Sequence, residues 1–140
     1  MKIEKQWVAE DTQYIRERLI EFNQKNLPDD IKIHSEEVSF VLRNEQNSIV
    51  GGITGKIFWK TLHIDLFWID DSVRGMGYGN RLIKSIEELA LEYECKLIKV
   101  DTFSFQAPLF YEKHGFEKFA ELKDYPSKDK VHYYYVKWLT

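Results

Sequence analysis

The sequence predicts an α/β (α+β) fold: a mixed central sheet flanked by helices, with an antiparallel meander in its N-terminal half. Three observations predict it. Three β-rich runs, residues 38–43, 48–59 and 62–69, follow one another with short links, which is the pattern of an antiparallel meander. An amphipathic run, 80–93, then separates the third of them from another β-rich run, 96–103. Strand, helix, strand within about forty residues is a right-handed crossover between parallel strands. The change from one pattern to the other falls on a glycine-rich stretch, Ile69 to Asn80.

Taken in order, residues 2–8 alternate around Ile3 and read as a first strand. Asp11-Thr12 offers an N-cap, and Ile15, Leu19 and Phe22 recur at helical spacing, so a helix is expected over about 12–25. Leu27-Pro28-Asp29-Asp30 breaks it, and a short helix or loop runs on to about residue 36. Asn44 to Asn47 is a turn. The run 48–59 carries Gly51, Gly52 and Gly55, and interior glycines mark a bulge or a close approach. Lys60-Thr61 is a tight connection. In the amphipathic run, Leu82, Ile83, Ile86, Leu89, Ala90 and Tyr93 line one face. A shorter helix is expected over 107–114, with Pro108 in its first turn and Gly115 as its stop. Strands over 116–122 and 132–139, joined by a loop at 124–129, complete the chain.

The 140 residues suit one domain, 1–140, with one core, for which 44% apolar residues are ample. A net charge of −3 argues against nucleic acid as the partner. One cysteine, Cys95, permits no internal disulfide and fits a reducing, cytoplasmic setting; its bland reading is a small buried side chain. No signal peptide and no run of membrane-spanning length are seen, so no membrane partner is expected. His34, His114 and His132 are scattered without metal-ligand spacing, so no metal is expected.

The glycine-rich stretch carries the first chemistry. Gly75, Gly77 and Gly79 at alternate positions remove three β-carbons, and they sit where a strand hands over to a helix. Free N–H groups at the helix start, the helix dipole and the Arg74 charge together make a seat for a phosphate or pyrophosphate. The bland alternative is a strand-to-helix turn with no ligand. Asn80-Arg81 breaks the P-loop pattern, and the third glycine falls one residue early for the dinucleotide fingerprint. Arg74-x-x-Gly77-x-Gly79 resembles the signature of the GNAT acetyltransferase superfamily. Leu109-Phe110-Tyr111-Glu112-Lys113-His114-Gly115-Phe116 is similar to a second segment of that family, with Ala107 at its small-residue position. The element order resembles the GNAT fold over nearly the whole chain.

The resemblance implies acetyl-coenzyme A as co-substrate and a parallel strand pair splayed apart to admit its pantetheine arm. It implies pantetheine contacts from the main chain of Phe67, Trp68 and Ile69. It places the pyrophosphate on Arg74 and the N–H groups of Gly75, Met76, Gly77, Tyr78, Gly79 and Asn80, with Phe110 bordering the cofactor. Met76 and Tyr78 need not contact it through their side chains. Tyr111 is the implied acid for the departing thiolate, or else packs as one of eight tyrosines. The family's glutamate position holds His63 here, a departure; a histidine can accept a proton near pH 7, and alternation puts Asp65 on the same strand face. A His63–Asp65 base pair and a solvated polar face both remain open, as does a reaction with no protein base. Ser104 and Gln106 stand where the family often has an asparagine, so no cofactor contact is expected of them; Gln106 reads as a substrate contact or a plain loop residue.

The function implied is N-acetyl transfer to a primary amine, small-molecule or peptide, by direct attack in a ternary complex, from a monomer or homodimer. A catalytically silent acyl-coenzyme A sensor is the alternative, and it would have no use for Tyr111. Aromatics near acidic groups, Trp7, Phe22, Tyr125 and Tyr133 to Tyr135 with Asp29, Asp30, Glu36 and Glu37, suit a cationic amine.

Overall fold

A computed structural model describes residues 1–31 and 35–140. His34, and part of the connection expected to reach residue 36, lie outside the described residues. The chain divides into two compact units, Met1–Ile33 and His34–Thr140.

The first unit contains one helix, α1 (Ala9–Asn26). It starts earlier than Asp11-Thr12 suggested. Val8 is the residue before it and offers no side-chain cap; its own N–H donates to the Gln6 side chain at 2.6 Å. The strand expected at residues 2–8 is absent. A single fully exposed Ile3, between the paired ions Lys2 and Glu4, gives a strand no apolar face to bury.

The second unit is a six-stranded mixed sheet in the order β1-β2-β3-β4-β6-β5, with two helices. β1 (Glu36–Arg43), β2 (Ile49–Phe58) and β3 (Thr61–Ile69) form the expected meander. Asn44 closes its first turn, its Oδ1 accepting from the N–H groups of Gln46 and Ser48. The second turn is Trp59-Lys60, both with positive φ (53° and 59°), the mirror-image turn that matches strand twist. A short 3₁₀ turn (Asp71–Val73) leads to α2 (Tyr78–Glu92), then β4 (Leu97–Phe103), α3 (Pro108–Lys113), β5 (Glu117–Lys123) and β6 (Val131–Trp138). Gly115, at φ +85°, ends α3 as expected.

The core lies under α2. Leu82, Ile83, Ile86 and Ala90 of its apolar face are buried against Ile53, Leu62, Ile64, Ile98 and Val100 of the sheet. Leu89 and Tyr93 fall at the edge of that face, and Tyr93 is exposed. Cys95 is buried beside them, and burial pushes its thiol pKa up.

One irregularity shapes the sheet. Across the meander, Thr54 faces Leu66 while Gly55 faces Ile64, so Asp65 is an extra residue, a β-bulge. A β-carbon on Gly55 would stand 2.6 Å from the His63 carbonyl oxygen, which only glycine avoids. Before the bulge, Leu62 and Ile64 point into the core; after it, Phe67 and Ile69 do, and Leu66 turns outward. β3 pairs with β4 in parallel only from Thr61↔Leu97 to Ile64↔Val100. Past that point the two strands part.

Tyr135 on β6 is a core residue, not a surface aromatic for substrate. Burial first, then the Glu112 carboxylate that it hydrogen-bonds, push its pKa up to about 12. A folded pKa above the unfolded value stabilises fully below about pH 10, and that contribution is lost as pH rises toward 12. In denaturant melts, wild type should therefore lose about 2–3 kcal/mol more between pH 9 and 12 than Tyr135→Phe does.

Candidate active site

The site forms where β3 and β4 separate. The loop after β3 is braced by its own side chains. Asp70 accepts from the N–H of Ser72 at 3.0 Å and from its hydroxyl, and these bonds, aided by Arg74, hold its carboxyl below the usual range. Arg74 donates through Nε to the Ile69 carbonyl at 3.1 Å and pairs through Nη1 with Asp71 at 3.0 Å. Two expectations change in consequence. Part of the Arg74 charge is answered locally, and the Ile69 carbonyl has a protein partner rather than an open acceptor.

The N–H groups of Val73 and Arg74 bond back into the 3₁₀ turn. From Gly75 to Asn80 no N–H has a hydrogen-bond acceptor among the described residues; the first helical bond of α2 comes from Arg81 to the Gly77 carbonyl. Gly75 and Gly77 make this possible at φ +79° and +84°, with nothing within 4 Å of where a β-carbon would stand. An open run of amides at a helix N-terminus is an anion seat. Gly79 has another duty: its Cα side lies against Phe110, 3.4 Å from a notional β-carbon. Met76 is exposed, Tyr78 is half-buried beneath the Arg81 guanidinium, and the Asn80 side chain bonds His114 at 2.9 Å, tying α2 to the end of α3.

Phe110 and Tyr111 stand at the parting of the strands. The Phe67 ring meets Phe110 edge-on at 5.3 Å and Tyr111 at 6.4 Å. Tyr111 is buried among Phe67, Phe116 and Tyr135, and no hydrogen bond to its hydroxyl occurs among the described residues. Burial, with the nearby Asp101 charge, pushes its pKa up to about 12. Trp68 is half-exposed beyond it.

His63 and Asp65 come together, His63 Nδ1 lying 3.3 Å from Asp65 Oδ1, and both side chains are partly open to solvent. Two residues that the sequence reading did not select join them. Asp101 Oδ2 is 3.8 Å from His63 Nε2, and Asp101 Oδ1 is 3.2 Å from His132 Nε2. The parallel register, Ile64 against Val100, was the available signal for Asp101, which falls at the same level of the sheet as Asp65. His132 had no such signal, because it reaches the site only through β6 lying between β4 and β5. Ser104 and Gln106 are structural: Ser104 Oγ accepts from the Val131 N–H, and Gln106 Oε1 accepts from Thr102 Oγ1 and the Phe103 N–H.

The sequence profile of the acetyltransferase (GNAT) family matches residues 4–116. This chain belongs to that family. Membership makes it an acyltransferase with acetyl-coenzyme A as its donor. It is 42% identical to blasticidin-S acetyltransferase of Streptomyces morookaense over 83 residues, 59% of this chain and 61% of that protein. A crystal structure of an acetyltransferase from Bacillus cereus superposes with TM-score 0.90 at 41% identity, covering 99% of this chain and 98% of that one. A candidate streptothricin acetyltransferase from Bacillus anthracis, solved in complex with acetyl-coenzyme A, superposes with TM-score 0.64 at 25% identity over 74% of this chain and 63% of that one. Among the described residues no helix is long and apolar enough to cross a membrane, and no cluster of side chains is suited to a metal.

Gly77→Val tests the amide seat of this GNAT chain. The left-handed φ should cost the fold roughly 1–2 kcal/mol, and the new side chain stands in front of the amides. A thermal-shift assay should show a folded variant that acetyl-coenzyme A no longer stabilises; undiminished stabilisation would make the loop a purely structural turn.

Proposed function

We propose that residues 1–140 form one N-acetyltransferase domain that moves the acetyl group of acetyl-coenzyme A to a primary amine of a small molecule, by direct attack in a ternary complex. The observation that carries this reading is the continuity of the open amide run with the gap between β3 and β4. A pyrophosphate on the amides of Gly75 to Asn80 fits the cradle, since Gly75 and Gly77 present no β-carbon and open space, and none of these N–H groups is already taken among the described residues. The Arg74 Nη2 remains for a phosphate oxygen, and the main chain of Phe67, on the edge of β3 that no longer pairs with β4, faces the pantetheine arm, while that of Trp68 is turned to Gly52 of β2. Bound acetyl-coenzyme A supplies the thioester, whose C–S bond breaks as the N–C bond of the product forms, releasing a thiol.

His63 is the base in this reading. With its proton on Nδ1, 3.3 Å from Asp65 Oδ1, His63 keeps the Nε2 lone pair to take a proton from the acceptor ammonium; the imidazolium so formed lies beside the Asp65 carboxylate. From His63 the proton passes to solvent. Tyr111 serves the departing sulfur. At about 12 its pKa keeps it protonated throughout the working range, so it is a donor and never a base. Full transfer to a thiolate of pKa about 8.5 runs uphill by about 5 kcal/mol, so its contribution is a hydrogen bond to the sulfur as charge develops, while the second proton leaving the nitrogen passes through water to the sulfur. The relatives' names direct the choice of acceptor: blasticidin S and streptothricin are the first amines to try.

Acetyl-coenzyme A should raise the melting temperature where NAD and ATP do not, by about 2.7 kcal/mol of stability at a hundred times its dissociation constant. With a good acceptor, Tyr111→Phe should keep that stabilisation and lose roughly 10- to 100-fold in kcat. A variant of full activity, with chemistry rate-limiting, would take the sulfur away from Tyr111. Cofactor binding with no turnover of any amine would favour the silent sensor.

A further inference from the structure

The sheet face that carries His63 continues onto β4 and β6. Asp101 and Phe103 are two residues apart on β4 and so share that face; their register partners on β6 are Tyr134 and His132. Phe103 stacks on His132 at 4.3 Å and on Phe105 at 5.4 Å, and Tyr125 lies 5.9 Å away. Tyr125 is held there by the loop it belongs to, its N–H donating to the Lys130 carbonyl at 3.1 Å. Phe105 and Tyr125 are 57% and 48% exposed beside a carboxylate that is itself 43% exposed, and the Lys130 ammonium lies 5.9 Å from the centre of the Phe105 ring.

His132 is the unusual member. It is 8% exposed, and neither ring nitrogen has a hydrogen bond among the described residues. Its Nε2 is directed at Asp101, 3.2 Å from Oδ1, off hydrogen-bond alignment. The same carboxylate turns Oδ2 toward His63 Nε2 across 3.8 Å. With the His63 proton on Nδ1, both atoms flanking that gap are acceptors, and only an incoming donor can satisfy them. A primary ammonium carries three N–H groups in a tetrahedral fork and spans two acceptors about 4–5 Å apart, slightly more than the 3.8 Å between these two partly exposed groups.

We propose that Asp101 Oδ2 and His63 Nε2 together seat the acceptor's ammonium, with His132 as the positioning residue that holds Asp101. The exposed rings of Phe105 and Tyr125, backed by Phe103, receive a flat group on the same molecule. The acceptor class is then a primary ammonium on a short arm from an aromatic or heteroaromatic ring. The reaction at this seat rests on the acetyl-transfer reading, but the seat itself is testable by binding alone.

The probe is benzylammonium, with n-butylammonium as the ring-free control, titrated into the full chain loaded with coenzyme A. Histidine C–H resonances are followed by NMR, and a His63→Gln spectrum assigns the signal. Benzylammonium should shift the His63 and His132 signals saturably, about tenfold more tightly than n-butylammonium. Asp101→Asn should weaken it about tenfold and Asp101→Glu should recover part of that. His132→Phe should weaken it severalfold and add little on top of Asp101→Asn, the non-additivity expected of residues acting through one group. In turnover, these variants should raise the KM for the amine and leave that for acetyl-coenzyme A unchanged. No shift in wild type, or equal binding to Asp101→Asn, overturns the seat; equal binding of the two amines overturns the ring subsite; additive losses remove His132 from its role. Thermal shift by acetyl-coenzyme A on the same preparations keeps the two readings apart, because its absence would sink acetyl transfer while the titration still judges the seat.

Discussion

The structure depends on one interruption of backbone pairing. β3 and β4 hydrogen-bond in parallel for four residue pairs and then stop, at Ile64 and Val100. The cause is local and steric. Gly55 allows β2 to approach the His63 carbonyl more closely than any side chain permits, and Asp65 is pushed out as the extra residue opposite it. The bulge increases twist and exchanges the faces of β3, so that Phe67 and Ile69, not Leu66, turn to the core. Unpaired main-chain groups buried without a partner are costly, so a strand edge freed in mid-sheet marks a place built to receive something. The same bulge puts Asp65 against His63.

Burial of Tyr111 is the second consequence. The aromatic packing that fixes its ring, with Phe67, Phe116 and Tyr135, also weakens it as an acid. A freely exposed tyrosine would be a stronger proton donor but would not be held at one point. Catalysis by a positioned hydrogen bond needs the geometry more than the acidity, because the donor acts while charge is developing and need not surrender its proton.

Much of this was legible in the residues. Periodicity located α2 and the meander, because their apolar faces are strong and the first turn of the meander carries Asn44. The glycines of β2 announced a close approach, although only the structure shows that Gly55 is the one the bulge requires. The run at residues 2–8 misled, since one apolar residue in alternation does not define a strand without a face to bury. Tyr135 misled in the opposite sense: three tyrosines in a row look like a surface feature, yet strand alternation sends the last of them into the core opposite Val100. Asp101 could be placed from the β3–β4 crossover, but His132 was not readable because it depends on strand order. β6 inserts between β4 and β5, and no local signal says which neighbour a C-terminal strand will choose.

The charge layout follows from the same geometry. A chain of net charge −3 is expected to hold a polyanionic donor, and the one cation of its glycine-rich loop, Arg74, is already partly answered by Asp71. The donor end can therefore rely on neutral groups: six successive amides and the positive end of α2, which attract phosphate without being neutralised by nearby carboxylates. That frees the other end of the gap to be acidic. Asp65 and Asp101 lie on the strands just where they part, suited to a cation and unsuited to phosphate. On the proposed reading, two partners of opposite charge would thereby be sorted along one opening, the anion to the helix start and the cation to the carboxylates. The polarity of the split sheet itself sets the direction in which an acetyl group would pass.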